Sequence, residues 1–401
     1  MNQELIKPIR RSIACFSQWL DGHGETSYDH QSYFAGPLGG KAKALYYAVP
    51  SLGVLAVAPM IFSEAFVPSA RKLFWKQQRL PIADAHYAMG YAFLAQGCAA
   101  NRHYRRAVHF LNVLGKTRCP TYKNFCWGYP FDWVTSSGVI PNGTPLITTT
   151  PYAYEAFLQV YHIDKADNWL GIIRSIAEHT LQDYRDTDTG ENASASSYTP
   201  HDNDRVINAS AYRAFLLTSA GIHLSQDKYL RTAERNLSFV LQAQQPDGSW
   251  YYSAEGERTF IDHFHTCFVL KALAKIDRLI EHEGCRQAID RGVDYYTRHL
   301  FDEQGLPKPF TKAPRTTVYR RELYDYAECI NLATLLKGRF PELDRLLILV
   351  LDDVLTRWQK PDGSYRSREL FFGWDNVPMH RWAQSQLFRS LCFLLHQSDC
   401  N

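Results

Sequence analysis

One pattern recurs six times along the chain, at intervals of about 55–65 residues. A polar or aromatic stretch leads into a segment that is apolar on all sides, and a second segment with apolar residues at helical spacing follows a short turn. The six leading stretches are ADAHYAMGYAFL from Ala83, TTTPYAYEAFLQVY from Thr148, VINASAYRAFLLTSA from Val206, IDHFHTCFVLKALAKI from Ile261, LYDYAECINLATLL from Leu323 and MHRWAQSQLFRSLCFLL from Met379. Such a long, regular period is typical of a fold built from repeated units.

A helix that is apolar on all sides belongs in the interior, whereas an amphipathic helix lies outside with one face in water. The repeat therefore predicts an all-α protein, an (α/α)6 toroid of six helical hairpins with long polar loops at one mouth. We expect residues 1–401 to form a single domain. Because no outer helix follows Leu395, residues 1–80 should supply the closing segment, with residues 8–20 or 64–77 completing the ring.

Composition narrows the class of protein. The chain is 45% hydrophobic and 21% charged with a net charge of +3, and it has no basic stripe, so we expect no nucleic-acid partner. Nine scattered cysteines and the lack of an apolar leader favour a cytoplasmic protein. The most apolar stretch, residues 51–62, is shorter than the roughly 20 residues of a membrane span, and we expect it to be buried, with contact at a membrane surface as the alternative. No H-E-x-x-H, C-x-x-C or G-x-G-x-x-G motif occurs, so neither a metal nor a cofactor is expected. The oligomeric state is left open.

Two turns carry a first resemblance. QQPDGSW at residues 244–250 and QKPDGSY at residues 359–365 are close copies. The first resembles the QW motif of squalene–hopene cyclases and related prenyltransferase toroids. That resemblance implies a toroid and leaves an isoprenoid-handling enzyme as one alternative.

A wider resemblance is to six-hairpin glycosidases, uronate lyases and sugar epimerases of the N-acylglucosamine 2-epimerase type. The segments DHQSYFAGPLGGKAKALYY, WGYPFDW and MHRWAQSQLF also resemble proteins encoded among bacterial exopolysaccharide assembly genes. These resemblances imply the biosynthesis or modification of a bacterial glycan, with an oligo- or polysaccharide as the substrate.

The candidate catalytic residues lie at the leading stretches. Asp262 and His265 are three residues apart, so they can share a helix face and form a hydrogen bond, although Asp262 is also a strong N-cap. The resemblance to toroid epimerases implies two catalytic histidines on different inner helices, here His265 and His380. The resemblance to uronate lyases implies a tyrosine base, here Tyr324. A glycosidase would need two carboxylates, for example Asp262 with Asp132, Glu328 or Asp84.

Other polar and aromatic residues are candidates for binding substrate. The aromatic loop at residues 125–133 could stack on sugar rings, and two arginines could hold a carboxylate. The predicted substrate-binding residues are His86, Trp127, Asp132, Trp133, Asn208, His263, Arg320, Glu328, Arg381 and Trp382.

The sequence thus favours a carbohydrate-active enzyme that performs acid–base chemistry, an epimerase or a lyase, on a uronate-containing or other acidic glycan. Three alternatives stay open. They are a glycoside hydrolase on the same scaffold, a non-catalytic glycan-binding protein of a polysaccharide assembly system, and the isoprenoid-handling toroid.

Overall fold

The fold is described from a computed structural model covering residues 3–98, 100–256, 258–314 and 317–399. The N-terminal region contains four helices: α1 (Gln3–His23), α2 (Ser32–Ala35), α3 (Pro37–Ala48) and α4 (Pro50–Phe66). A short 3-10 helix, Pro68–Leu73, leads back to the main body.

Six inner helices form a closed ring. They are α5 (Pro81–Ala95), α7 (Thr150–Asp164), α9 (Ile207–Leu224), α11 (His263–Ile280), α13 (Leu323–Leu335) and α15 (Ser385–Asp399). Each contacts the next, and α15 contacts α5. Every residue of α13 is buried, as a helix that is apolar on all sides requires.

The outer helices bury only one face and leave the other face in water. They are α6 (Arg102–Lys116), α8 (Asp167–Gln182), α10 (Asp227–Gln242), α12 (Glu283–His299) and α14 (Pro341–Asp353), together with α1. On α10 only one face is buried, along Tyr229, Ala233, Leu237 and Val240. The predicted all-α (α/α)6 toroid is confirmed.

The two PDGS turns explain how the ring closes. The side-chain amide of Gln244 donates to the carbonyl oxygens of Gly248 and Ala288, the latter on α12. The amide of Gln359 donates in the same way to Gly363 and to Ser12 on α1. Each turn therefore seats an outer helix, and α1, which contains residues 8–20, lies at the sixth outer position.

Short antiparallel strand pairs border the starts of several inner helices. They are β1 (Trp133–Thr135) with β2 (Gly138–Ile140), β3 (Asp186–Gly190) with β4 (Ala193–Ser196), β5 (Ile261–Asp262) with β6 (Phe310–Lys312), and β7 (Tyr319–Glu322) with β8 (Arg368–Leu370), which also pairs with β9 (Gly373–Asp375). Since β5 runs directly into α11 and β7 into α13, these strands fix where the two helices begin.

Two expectations need correction. The sixth inner helix begins at Ser385 rather than near Met379, because Trp382 and Ala383 have non-helical backbone angles within an irregular turn. The apolar stretch at residues 51–62 is not buried: it forms most of α4, where Leu52, Leu55 and Phe62 are exposed. None of the described helices has both the length and the apolar character needed to cross a bilayer.

Candidate active site

The mouth is the end of the ring at which the inner helices begin. Asp262 caps α11 there, with one carboxylate oxygen accepting the backbone N–H of His265 at 2.9 Å. Its other oxygen accepts the Nδ1–H of the same histidine at 2.6 Å. Asp262 is buried, while the side chain of His265 is 22% exposed. The helix cap and the contact with the imidazole thus use the same carboxylate, and Nε2 of His265 takes no part in either.

Asp325 is the third residue of α13, the position that His265 occupies in the preceding inner helix, α11. It is fully buried, and neither of its carboxyl oxygens has a hydrogen-bond partner in the described part of the chain. Burial and the nearby carboxylates of Glu322 and Asp262 raise the pKa of Asp325 well above its usual range. A carboxyl group in this state keeps its proton to a higher pH than an exposed one, which suits it to donate that proton.

An aromatic platform lies beside these groups. The rings of Tyr324 and Trp382 stack with centroids 4.5 Å apart and planes 8° apart. Phe264 meets both rings edge-on, at 5.1 Å and 5.6 Å. The indole N–H of Trp382 donates to Glu322 at 2.5 Å, which fixes the ring in place. Trp382 is partly exposed, with Tyr324 stacked on it and the guanidinium of Arg381 5.2 Å from its ring centre, so the exposed part of the ring suits contact with a sugar.

Tyr324 itself is poorly suited to the role of a base. Its ring is buried, and burial raises the pKa of its hydroxyl well above the ordinary value. The phenol therefore stays protonated at neutral pH. The lyase-type assignment of Tyr324 as a proton-abstracting residue finds no support in this environment.

A charged cluster fills the ring interior next to the platform. Glu328 is buried and accepts hydrogen bonds from Lys271 and, at 3.2 Å, from Arg389. Burial lowers the pKa of Lys271 to about 8, although Glu328 opposes the shift. Because Glu328 is neutralised by two cations of its own chain, its predicted role in binding substrate is replaced by a structural one.

His86 and Asn208 are buried polar residues that keep open hydrogen-bonding capacity. The ring of His86 lies 4.4 Å from that of Tyr152, and neither of its nitrogens has a described hydrogen-bond partner. Burial and the charges of Arg389 and Lys271 lower its pKa well below the ordinary value, so the imidazole is neutral. Both polar atoms of the Asn208 amide are likewise unpartnered among described residues. Buried groups of this kind need a partner, and a bound hydroxyl-rich ligand or water would supply one.

His380 lies outside the site, contrary to expectation. It is buried between α1 and α5, where its Nδ1 accepts from Tyr87 at 2.6 Å and its Nε2–H donates to the Gly24 carbonyl at 3.0 Å. Burial lowers its pKa to about 3. With both nitrogens occupied, His380 cannot be the second histidine of an epimerase-type pair. The irregular turn before Ser385 directs this side chain into the wall of the ring.

His263 and Arg381 are also committed to the protein. The Nδ1–H of His263 faces the carbonyl oxygens of Leu300 and Lys308 at 3.1 Å and 3.2 Å, and Nε2 accepts from Tyr296. Arg381 binds both carboxylate oxygens of Asp29 and the hydroxyl of Tyr129. Neither residue presents a free polar group for substrate, so both predicted binding roles are corrected.

The aromatic loop divides between core and surface. Trp127 is buried and donates to the Leu114 carbonyl of α6 at 2.9 Å, so its predicted stacking role is wrong. Trp133 is half-buried, 5.4 Å from the ring of Tyr129. Asp132 is exposed and lines a groove of about 510 Å³ between α3 and this loop. Arg320 is exposed with its guanidinium over Phe371, on the outer surface of the β7–β8 sheet.

Sequence reasoning missed Glu322, and it noted Asp325 beside Tyr324 without assigning it a role. A signal for them exists in the repeat. Glu322 precedes α13 as Asp262 precedes α11, and Asp325 stands third in its helix as His265 does in α11. Aligning residues 321–325 (RELYD) with residues 261–265 (IDHFH) would have placed both acids at the mouth.

The N-terminal region reaches the site. His30 meets Trp382 edge-on at 5.5 Å. Glu64 on α4 binds Arg368 at 2.6 Å, and Arg368 binds Glu322 at 3.1 Å. Residues 24–80 therefore cover part of the mouth instead of only closing the ring.

Within the described residues, no group of three or more His, Cys, Asp or Glu side chains could hold a metal ion.

Solved structures of carbohydrate-active enzymes share this architecture. A cellobiose 2-epimerase from Bacillus thermoamylovorans superposes with a TM-score of 0.63 at 9% identity, over 80% of this chain and 88% of its own. A D-mannose isomerase gives 0.60 at 11% identity, over 80% and 88%. A polysaccharide lyase gives 0.57 at 11% identity, over 79% and 91%. No protein-family model and no curated protein matches the sequence. The chain therefore has the (α/α)6 six-hairpin fold of these enzymes.

Proposed function

We propose that the protein is a carbohydrate-active enzyme that moves protons on a sugar with His265 and Asp325. The observation that carries the proposal is the hydrogen bond between His265 and Asp262 at the mouth, beside a buried carboxyl group that has no described partner. Acid–base catalysis needs a base and a protonated acid that can act on the same substrate.

The chemistry follows from these positions. Asp262 accepts the Nδ1–H of His265, so the lone pair of the neutral imidazole lies on Nε2, which takes a proton from a sugar carbon next to a carbonyl group. Asp325 carries the proton that neutralises the developing negative charge on oxygen. Trp382 offers its face to the sugar ring and so orients it. To complete an isomerisation, protonated His265 returns its proton to the neighbouring carbon while the Asp325 carboxylate takes the proton from the other enediol oxygen. An epimerisation instead returns a proton to the opposite face of the same carbon, which requires a second proton carrier on that face.

We favour a neutral sugar over the acidic glycan expected from the sequence. The arginines near the mouth already bind carboxylates of the chain: Arg381 binds Asp29, and Arg368 binds Glu322 and Glu64. A uronate would have to displace one of these pairs. An elimination on a uronate is correspondingly less well supported, and a role in exopolysaccharide biosynthesis is supported by the sequence resemblance.

A glycoside hydrolase is the second candidate, because three acidic side chains, Asp262, Glu322 and Asp325, lie near one another at the mouth. Hydrolysis needs a pair of carboxyl groups on either side of the scissile bond. The isoprenoid alternative predicts an apolar cavity and does not fit an interior that contains Lys271, Glu328 and Arg389.

The test is incubation with reducing mono- and disaccharides and with oligosaccharides in deuterated water. Deuterium incorporation without cleavage supports the proposal, an unsaturated product indicates a lyase, and a new reducing end indicates a hydrolase. His265→Gln and Asp325→Asn should each lower turnover by about 10²-fold or more. His299→Gln, at an exposed position on α12, is the matched control and should keep full activity. Wild-type turnover in His265→Gln would refute the proposal.

A further inference from the structure

Exposed apolar side chains are concentrated in one part of the molecule. Of the eighteen large hydrophobic residues that are exposed in the described chain, twelve lie between Leu38 and Leu73. Leu52 is 57% exposed and Leu55 is 72% exposed. Scattered exposed hydrophobic residues are ordinary, but a contiguous cluster marks an interaction surface. The cluster is carried by the hairpin of α3 and α4, here called the apolar hairpin.

The apolar hairpin is a compact element. A Cβ on Gly53 of α4 would lie 2.0 Å from the Cα of Tyr46 on α3, so the two helices are in direct backbone contact. Phe66, at the end of α4, stacks on Phe372 of the β8–β9 turn at 5.8 Å, and Phe372 is itself exposed. The apolar surface is therefore continuous across two elements of the fold.

Its charges have one sign. No charged residue occurs between Lys43 and Glu64, and Glu64 is bound to Arg368. Across residues 30–78 the exposed charged side chains are Lys41, Lys72 and Lys76. An apolar surface with exposed lysines on and just after it in the chain complements a bilayer that has anionic headgroups, because the lysines attract the surface and the apolar groups enter it.

Neither helix of the apolar hairpin is long enough to cross a bilayer alone, because α3 has 12 residues and α4 has 17, against about 20 for a span. A second copy of the chain would bring the same lysines face to face, which opposes pairing through this surface. We infer that the apolar hairpin docks on a lipid bilayer containing anionic phospholipids.

Docking would hold the candidate active site at the bilayer surface. Glu64 of the apolar hairpin binds Arg368, Arg368 binds Glu322, and Glu322 accepts the indole N–H of Trp382. The apolar hairpin is thus joined to Trp382 of the aromatic platform through three consecutive polar contacts.

The full chain is tested by co-sedimentation with phosphatidylcholine vesicles, with and without phosphatidylglycerol. Binding should require phosphatidylglycerol and weaken with salt. The pair Leu52→Glu and Leu55→Glu should lower the affinity by about tenfold or more. Each of Lys41→Gln, Lys72→Gln and Lys76→Gln should lower it about fivefold.

The matched control is Ile222→Glu with Ile348→Glu, at exposed apolar positions away from the hairpin, and it should bind as the wild type does. Melting temperatures of both double variants equal to that of the wild type would show that the fold is kept. The inference is overturned if the wild type sediments with neither vesicle or equally with both. It is also overturned if ultracentrifugation without vesicles shows a dimer that the Leu52 and Leu55 substitutions abolish. Activity on soluble sugars is a separate measurement, so the two proposals can fail independently.

Discussion

Asp262 holds His265 at two atoms, through the backbone N–H at 2.9 Å and through Nδ1 at 2.6 Å. One carboxylate therefore both starts a helix and fixes the tautomer of the histidine at its first turn. The two contributions can be separated, because an asparagine still accepts the backbone hydrogen bond but carries no charge.

Asp262→Asn should leave the free energy of unfolding almost unchanged while lowering kcat by about 10²-fold or more. Asp262→Ala should lose the same activity and also about 1 kcal/mol of stability, since the cap is removed. Urea unfolding and steady-state kinetics on the substrate found in the exchange assay measure the two effects. An Asp262→Asn variant with wild-type kcat would show that the carboxylate is only a cap.

Asp325 should make stability depend on pH. Its pKa is raised in the folded state by burial and by Glu322 and Asp262, so between the unfolded value of about 3.9 and the folded pKa the native state holds more protons than the unfolded chain. Stability contributed by this group is present at low pH and is lost as the pH rises through that window. Asp325→Asn should therefore gain stability relative to the wild type as pH increases. A constant difference between the two proteins from pH 5 to pH 8 would contradict the assigned shift.

The stacked pair of Tyr324 and Trp382 should contribute to substrate binding. Trp382→Ala removes the ring, and we expect KM to rise about tenfold with a smaller change in kcat. Trp382→Phe keeps an aromatic face but loses the hydrogen bond to Glu322, so its KM should lie between those of the wild type and Trp382→Ala. If both variants bind substrate like the wild type, the sugar does not stack here.

The glycines of the two PDGS turns should be intolerant of substitution. Gly248 and Gly363 have φ of +91° and +94°, and an added Cβ would lie 2.3 Å and 2.5 Å from the carbonyl oxygens of Arg291 and Cys15. Each glycine-to-alanine change should cost about 2–4 kcal/mol of folding free energy, from strain and from displacement of an outer helix. Gly97→Ala is the control, because Gly97 has φ +76° but open space around it, and it should cost only about 1–2 kcal/mol. Equal losses at all three sites would show that the turns do not seat α12 and α1.

The sequence by itself determined the repeat and hence the ring. Apolar periodicity and turn chemistry act over a few residues, so the hairpins and the pairing of Asp262 with His265 could be predicted locally. The tertiary structure decided which polar groups are free. Arg381 meets Asp29 from 352 residues away, and His380 meets Gly24 from 356. Those contacts turned two predicted site residues into structural ones, while the burial of Asp325 without a partner made it a candidate acid. Burial and long-range pairing depend on the whole packed ring, and they set the charge and availability of each side chain.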